Sequence, residues 1–214
     1  TAELDSLDAV LFKQANMNFV RTSHYPPTER FLSYCDRVGL YVECETAVCF
    51  VNTHRQKNYA PAASQDDPAF TGRYLNQLQE MVHSFRSHSS ILFWSVGNES
   101  QYGINFQQSY DWVKQTDCTR PAVFSYPGYV PEGKQVYDIV SMHYPGCDGN
   151  LHQLGTQTFG FEHKDKPALF DEWAHVPCYT YSTLQDDPNI REFSGISLDK
   201  MWSKLFASNG GLGG

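Results

Sequence analysis

The stretch Ile91-Leu92-Phe93-Trp94-Ser95-Val96-Gly97-Asn98-Glu99-Ser100 constrains this chain more than any other. Six mostly apolar residues in a row suit a strand buried on both faces, as in a parallel sheet. The run breaks at Gly97 and delivers an amide and a carboxyl, Asn98 and Glu99, at its C-terminal end. A charged Glu directly after a core strand is costly unless it is paired or used. In barrels and open α/β sheets, that end of a strand is where chemistry sits.

The rest of the chain repeats the same grammar. Residues 3–16 place Leu4, Leu7, Val10 and Leu11 at helical spacing and predict an amphipathic helix. A strand follows at 19–25, ended by Pro26-Pro27. Thr28 can cap a helix over 29–38, closed by Gly39. Leu40 to Glu45 reads as a strand ending in carboxylates, and 46–66 as a long loop without period. Asp67-Pro68 starts a helix through residue 86, with Phe70, Tyr74, Leu78, Met81, Val82 and Phe85 on one face. After the central strand, 103–116 reads as a helix, 122–125 and 139–144 as strands, and 148–160 as a weak helix or loop. A strand at 167–172 and a helix at 196–208 complete the pattern.

Alternating strands and helices predict a parallel sheet with crossover helices, either doubly wound or a barrel. No glycine-rich phosphate loop follows the first strand, which argues against a nucleotide-binding sheet. Polar groups after nearly every strand favour the barrel, although only six strands are visible. The 214 residues are expected to form one domain. With 19% charged and 41% apolar residues, neither a disordered nor a membrane class fits, and no signal-peptide pattern opens the chain. The net charge of −8 and the lack of a basic run give nucleic-acid binding no support. Compartment and oligomeric state are not legible. Six cysteines at irregular spacing, without a Cys-x-x-Cys pair, read as mostly buried free thiols.

Glu99 and Glu172 both end apolar strands, so a barrel brings them to one face although 73 residues separate them. Two carboxylates across a cleft form the chemical unit of glycoside hydrolysis, one protonating the leaving oxygen and the other attacking the anomeric carbon. For either Glu alone, an ion pair with a neighbouring strand is an equally good account. His24, His143 and His175 also lie at or past strand ends, as does Tyr144. Such a cluster suits metal ligation or hydrogen bonding to sugar hydroxyls, and no His-x-x-x-His pair favours the metal. Arg21 is placed to neutralise a carboxylate on the pocket floor.

The stretches FVRTSHYPPTERFLSYCDRVGLYVECE (19–45), ILFWSVGNES (91–100), YDIVSMHYP (137–145) and PALFDEWAH (167–175) resemble the catalytic barrel of glycoside hydrolase family 2, most of all its β-galactosidases. The resemblance implies an incomplete (β/α)8 TIM barrel holding about strands 2 to 7, with residues 1–214 forming part of that domain. It implies Glu99 as general acid/base and Glu172 as nucleophile of a retaining exo-glycosidase acting on β-linked galactosides. Asn98, Tyr144, His24 and His175 correspond to substrate-binding or nucleophile-supporting residues, with Arg21 and Trp173 in support. The Glu-Trp-Ala-His run leans towards galactosidase over glucuronidase. A β-glucuronidase, another family 2 β-glycosidase, or a non-catalytic carbohydrate-binding barrel fragment are the alternatives. Some β-galactosidases hold magnesium through a Glu-x-His pair after the third strand. The corresponding ETAVCFVNTH (45–54) does not reproduce that pair, so no cofactor is expected. The family's first and eighth strands and flanking β-sandwich domains are not recognisable. The terminal Gly-Gly-Leu-Gly-Gly stands where the eighth strand would begin, so the chain reads as a piece of a longer one.

Overall fold

The computed structural model describes residues 1–52, 64–144, 153–154, 157–158, 165–173 and 189–214. Two compact units divide the chain, Thr1–Asp138 and Ile139–Gly214.

In the first unit, helix α1 (Ala2–Gln14) leads into strand β1 (Phe19–Arg21). Helix α2 (Glu29–Val38) connects it to β2 (Tyr41–Glu45). A 3-10 turn (Pro68–Phe70) and α3 (Thr71–Phe85) lead to β3 (Ile91–Asn98), and α4 (Ile104–Thr116) leads to β4 (Ala122–Ser125). The pairs β1–β2, β2–β3 and β3–β4 are all parallel. Spatial order thus follows chain order without reversal. A doubly wound sheet must reverse direction at its switch point, whereas a barrel winds one way.

The local chemistry explains the helix ends. Thr28 Oγ1 accepts the Phe31 N–H at 3.1 Å, and Gly39 takes the left-handed conformation (φ 70°) that stops α2. Tyr74, Leu78, Met81 and Val82 of α3 and Phe106, Tyr110 and Val113 of α4 are buried against the sheet, as their spacing predicts. Trp94 at the centre of β3 is fully buried. Its Nε1 donates to Asp117 Oδ2 at 2.9 Å, and Arg120 Nη1 meets the same oxygen at 2.7 Å.

Helix α1 departs from its expected orientation. Leu4, Leu7, Val10 and Leu11 lie at the surface, while Ala9 is buried and Phe12 packs against the core. Asp5, on the same face as Ala9 and Phe12, accepts from Thr28 Oγ1 at 2.7 Å, and Lys13 donates to the Gly39 carbonyl at 3.1 Å. The sequence carries two stripes at helical period, and the one with polar partners on α2 won.

In the second unit, β5 (Ile139–His143) pairs in parallel with β8 (Ala168–Glu172), and β8 in parallel with β9 (Gly211–Gly213). Helix α5 (Asn189–Phe206) precedes β9, burying Met201 and Leu205. Two short strands, β6 (Gln153–Leu154) and β7 (Gln157–Thr158), pair antiparallel, where a weak helix or loop was expected. Strand β9 falls where the eighth strand was expected to begin, and shows that a short piece of strand is present where none was recognisable in the sequence. The glycines there serve close packing: a Cβ at Gly211 would lie 2.6 Å from Leu205 Cδ1, and one at Gly214 would lie 2.7 Å from the Trp173 ring.

Candidate active site

Strands β3 and β8 share a feature just before their carboxylates. From Ser95 to Asn98, β3 advances three residues while β4 advances two, Val123 to Ser125. From Leu169 to Glu172, β8 advances three while β5 advances two, Ser141 to His143. One extra residue makes a bulge, which bends the strand and re-aims the side chains after it. Glu99 and Glu172 each follow such a bulge.

In β3 the bulge is held from both sides. The Asn98 N–H donates to Val48 O at 2.9 Å, the Phe50 N–H donates to Asn98 O at 3.2 Å, and the Glu99 N–H donates to Ser125 O at 2.9 Å. Gly97 permits this approach, since a Cβ there would meet Phe106 Cε1 at 2.7 Å and Val48 O at 3.0 Å. Glu99 then takes a left-handed backbone (φ 37°), and so do the residues after β4 and β5, Tyr126 (φ 44°) and Tyr144 (φ 48°). Non-glycine residues in that region are uncommon, and they gather at functional sites.

Beside Asn98 lies a buried polar array. Arg21 grips Glu45 with two bonds, Nε to Oε2 at 2.8 Å and Nη2 to Oε1 at 3.0 Å. Its Nη2 also donates to Asn98 Oδ1 at 2.6 Å, and its Nε lies 3.7 Å from Glu43. His24 Nδ1 is 2.9 Å from Glu45 Oε1, and Ser95 Oγ donates to Glu45 Oε2 at 2.9 Å. With Asn98 Oδ1 occupied, its buried Nδ2 has no partner among the described residues. A buried donor without a partner is costly, and an acceptor supplied from outside would satisfy it. The nearby thiols are held in their protonated form. Burial first, then the Glu45 and Glu99 charges, push Cys49 up, and burial with Glu45 pushes Cys44 up.

In the second unit, Tyr144 Oη donates a hydrogen bond to Glu172 Oε2. The buried His143 ring lies 3.3 Å by Nε2 from Asp171 Oδ1 and 3.7 Å by Nδ1 from Glu172 Oε2. Ser141 Oγ donates to both Asp171 oxygens, at 2.7 and 2.9 Å. The structure therefore places Arg21, His24 and Asn98 together in one unit, and Tyr144 beside Glu172 in the other. Trp173 packs its ring 4.8 Å from Trp202. His175 lies outside the described residues. The sequence reading gave no role to Glu45 or Asp171, and weighed His143 only within a cluster suited to a metal or to sugar hydroxyls. Their strand-end positions were visible, but nothing marked them as the partners of Arg21 and Glu172. Of the cysteines, Cys35 and Cys44 are buried, Cys49 is partly exposed and Cys118 is exposed; all four are free.

Residues 3–194 match the model of the glycosyl hydrolases family 2, TIM barrel domain. The chain belongs to this family. The parallel strands and crossover helices of its two units are those of an incomplete (β/α)8 barrel. A β-galactosidase of Pectobacterium atrosepticum is 38% identical over 175 residues, covering 79% of this chain and 16% of the relative. A β-galactosidase of Pseudoalteromonas haloplanktis is 31% identical over 185 residues, covering 84% and 17%. This family 2 chain thus spans about a sixth of the length of such relatives. Among solved structures, a β-glucuronidase from an uncultured Clostridium sp. matches all of the chain and 39% of its own length, with a TM-score of 0.75 at 16% identity. A β-galacturonidase of Eisenbergiella tayi bound to galacturonate matches 99% of the chain and 39% of its own, with a TM-score of 0.69 at 21% identity. At these identities the structures speak for the fold.

Proposed function

We propose that the full protein is a retaining exo-glycosidase that hydrolyses terminal β-galactosides, with Glu172 as nucleophile and Glu99 as general acid/base. The observation that carries the reading is the pair of bulged strand ends, each presenting a carboxylate, in a chain 31–39% identical to β-galactosidases. Strand C-termini face the active site in the family's barrel fold. Glu99 protonates the glycosidic oxygen as Glu172 attacks the anomeric carbon, giving a glycosyl-enzyme and a free aglycone. Glu99 then takes a proton from water as that water displaces Glu172, releasing the sugar with its configuration retained.

The surrounding groups suit these steps. Tyr144 holds one oxygen of Glu172, which fixes the direction of the other for attack. The spare Nδ2 of Asn98 suits the sugar 2-hydroxyl, a contact that strengthens in an oxocarbenium-like transition state. His24 keeps part of its ring exposed for a sugar hydroxyl, and His175 is assigned the same role. No metal enters the scheme. Between Glu45 and Asp66 the loop carries no carboxylate and only one histidine, His54, so a Glu-x-His pair does not fit there.

The full-length parent enzyme tests the reading. Glu172→Gln should abolish turnover of aryl β-galactosides while preserving the fold, and near-normal activity would refute the nucleophile assignment. Glu99→Ala should slow substrates with poor leaving groups far more than activated aryl glycosides; equal losses would count against its acid role. Proton NMR of the first-formed sugar should show the β-anomer, and a panel of aryl glycosides should rank galactoside above glucuronide.

A further inference from the structure

Glu45 is fully buried at the end of β2, and both of its oxygens are saturated. Oε1 accepts from Arg21 Nη2 (3.0 Å) and His24 Nδ1 (2.9 Å); Oε2 accepts from Arg21 Nε (2.8 Å) and Ser95 Oγ (2.9 Å). A carboxylate offers about four acceptor sites, so Glu45 has none left for a substrate. Its donors come from β1, from the turn after β1, and from β3. A mere counter-ion for one guanidinium needs only the two bonds from Arg21. The further bonds from His24 and Ser95 join residues that flank the site.

We infer that Glu45 is a positioning residue: it sets His24 directly and, through Arg21, decides which edge of the Asn98 amide is left as a donor. The inference rests on the role proposed above for Asn98 and His24. The first arm is a tautomer choice. Nδ1 lies closer to the carboxylate (2.9 Å) than to Arg21 Nη2 (3.3 Å), so it carries the proton towards Glu45. With Nδ1 committed to the carboxylate, the ring turns its Nε2 edge away from Glu45, and that is the edge a sugar hydroxyl meets. The second arm is an amide orientation. The bidentate grip fixes the guanidinium plane, Nη2 then takes Asn98 Oδ1 at 2.6 Å, and Nδ2 is left as a donor without a partner among the described residues. Without Glu45 the guanidinium is free to swing, and Asn98 can turn its oxygen to the sugar. An oxygen there accepts rather than donates, and the contact with the 2-hydroxyl loses its direction.

The test uses the full-length parent enzyme with Glu45→Gln and two substrates, 4-nitrophenyl β-galactoside and its 2-deoxy counterpart. Gln offers one oxygen and places an N–H₂ against one of the donors now facing Glu45, which breaks the paired grip on Arg21. Loss of a supporting partner of this kind costs about 10–100-fold. That loss should fall on kcat/KM for the galactoside, chiefly in kcat, while the 2-deoxy substrate loses only the smaller share that His24 carries, so discrimination between the two falls. Equal losses on both substrates, or an unchanged ratio in folded enzyme, overturn the inference and leave Glu45 a structural counter-ion. If Glu45→Gln does not fold, Ser95→Ala removes one of the four bonds and keeps the carboxylate. It should lower the same ratio by a smaller factor, and an unchanged ratio overturns the inference. A wild-type enzyme that does not discriminate between the two substrates refutes the Asn98 assignment, and this inference with it. Discrimination in wild type that persists in the variants refutes the role of Glu45 alone.

Discussion

Replacing Gly97 with Ala connects packing to catalysis through a single methyl group. The new Cβ would lie 2.7 Å from Phe106 Cε1 and 3.0 Å from Val48 O. Carbon atoms rest at about 3.5–4.0 Å, so ring and strand must separate by about 0.8 Å or more. Phe106 has little room to yield: it is fully buried, 4.3 Å from the Phe124 ring centroid and edge-on to Tyr74 at 5.1 Å. Val48 O is no freer, because it accepts the Asn98 N–H at 2.9 Å. Overpacking of this kind costs about 1–3 kcal/mol. The stiffer unfolded chain returns about 0.4–1 kcal/mol, leaving a net loss of about 1–2 kcal/mol. The catalytic loss should be larger, since a displacement of about 1 Å at a reacting group costs about 10²-fold in rate. The parent enzyme with Gly97→Ala should therefore melt slightly earlier and lose about two orders of magnitude in kcat/KM on an aryl galactoside. Adding Phe106→Leu should recover part of the activity by relieving the closer contact. An unshifted melting midpoint with activity within about twofold of wild type would refute the reasoning, since the bulge would then tolerate a side chain.

Two further outcomes follow from the geometry. Burial alone would raise the Asp117 pKa, but bonds from Thr119, Trp94 Nε1 and Arg120 outweigh it and hold the carboxyl far below its usual range. A depressed folded-state pKa contributes stability that is complete above the unfolded value, about pH 4, and is lost as pH falls towards the folded one. Asp117→Asn should lower the melting midpoint at pH 7 and flatten its decline below about pH 4; parallel pH profiles for the two proteins would remove Asp117 from the acid response. Tyr144→Phe deletes the donor to Glu172 and should cut kcat by about 10²-fold with the melting midpoint nearly unchanged, so an unaltered kcat would show that this bond does not serve catalysis.

Most strands were legible because each is an apolar run that stops at a polar residue, and burial on both faces demands that composition. Strand β9 was not legible, because Gly211–Gly213 carries no apolar pattern and exists by pairing with β8. Its glycines record contacts with Leu205 and Trp173, which only the packed structure reveals. Helix α1 was legible as a helix but not in its facing. Its Leu stripe outscores the Asp5–Ala9–Phe12 face in hydrophobicity, yet the latter finds Thr28 and the core.

The carboxylates show where sequence reasoning stops and why. Glu45, Glu99 and Glu172 share one signature, a carboxylate closing an apolar run, and the pattern alone assigns them no different roles. Register separates them. Beside β2 the extra residue lies on β3, between Ile91 and Phe93, and from Glu43 to Glu45 the ladder runs in step, which leaves Glu45 opposite Ser95 among buried donors that fill both oxygens. Glu99 and Glu172 each follow one extra residue, which turns the strand end away from that pattern. The bulge in β3 has a sequence trace in Gly97, where a side chain cannot fit. The bulge in β8 has none, since Leu169-Phe170-Asp171 reads as an ordinary strand. A carboxylate at a strand end thus takes its surroundings from the local register: an extra residue on their own strand redirects Glu99 and Glu172, and an in-step stretch sets Glu45 among its donors.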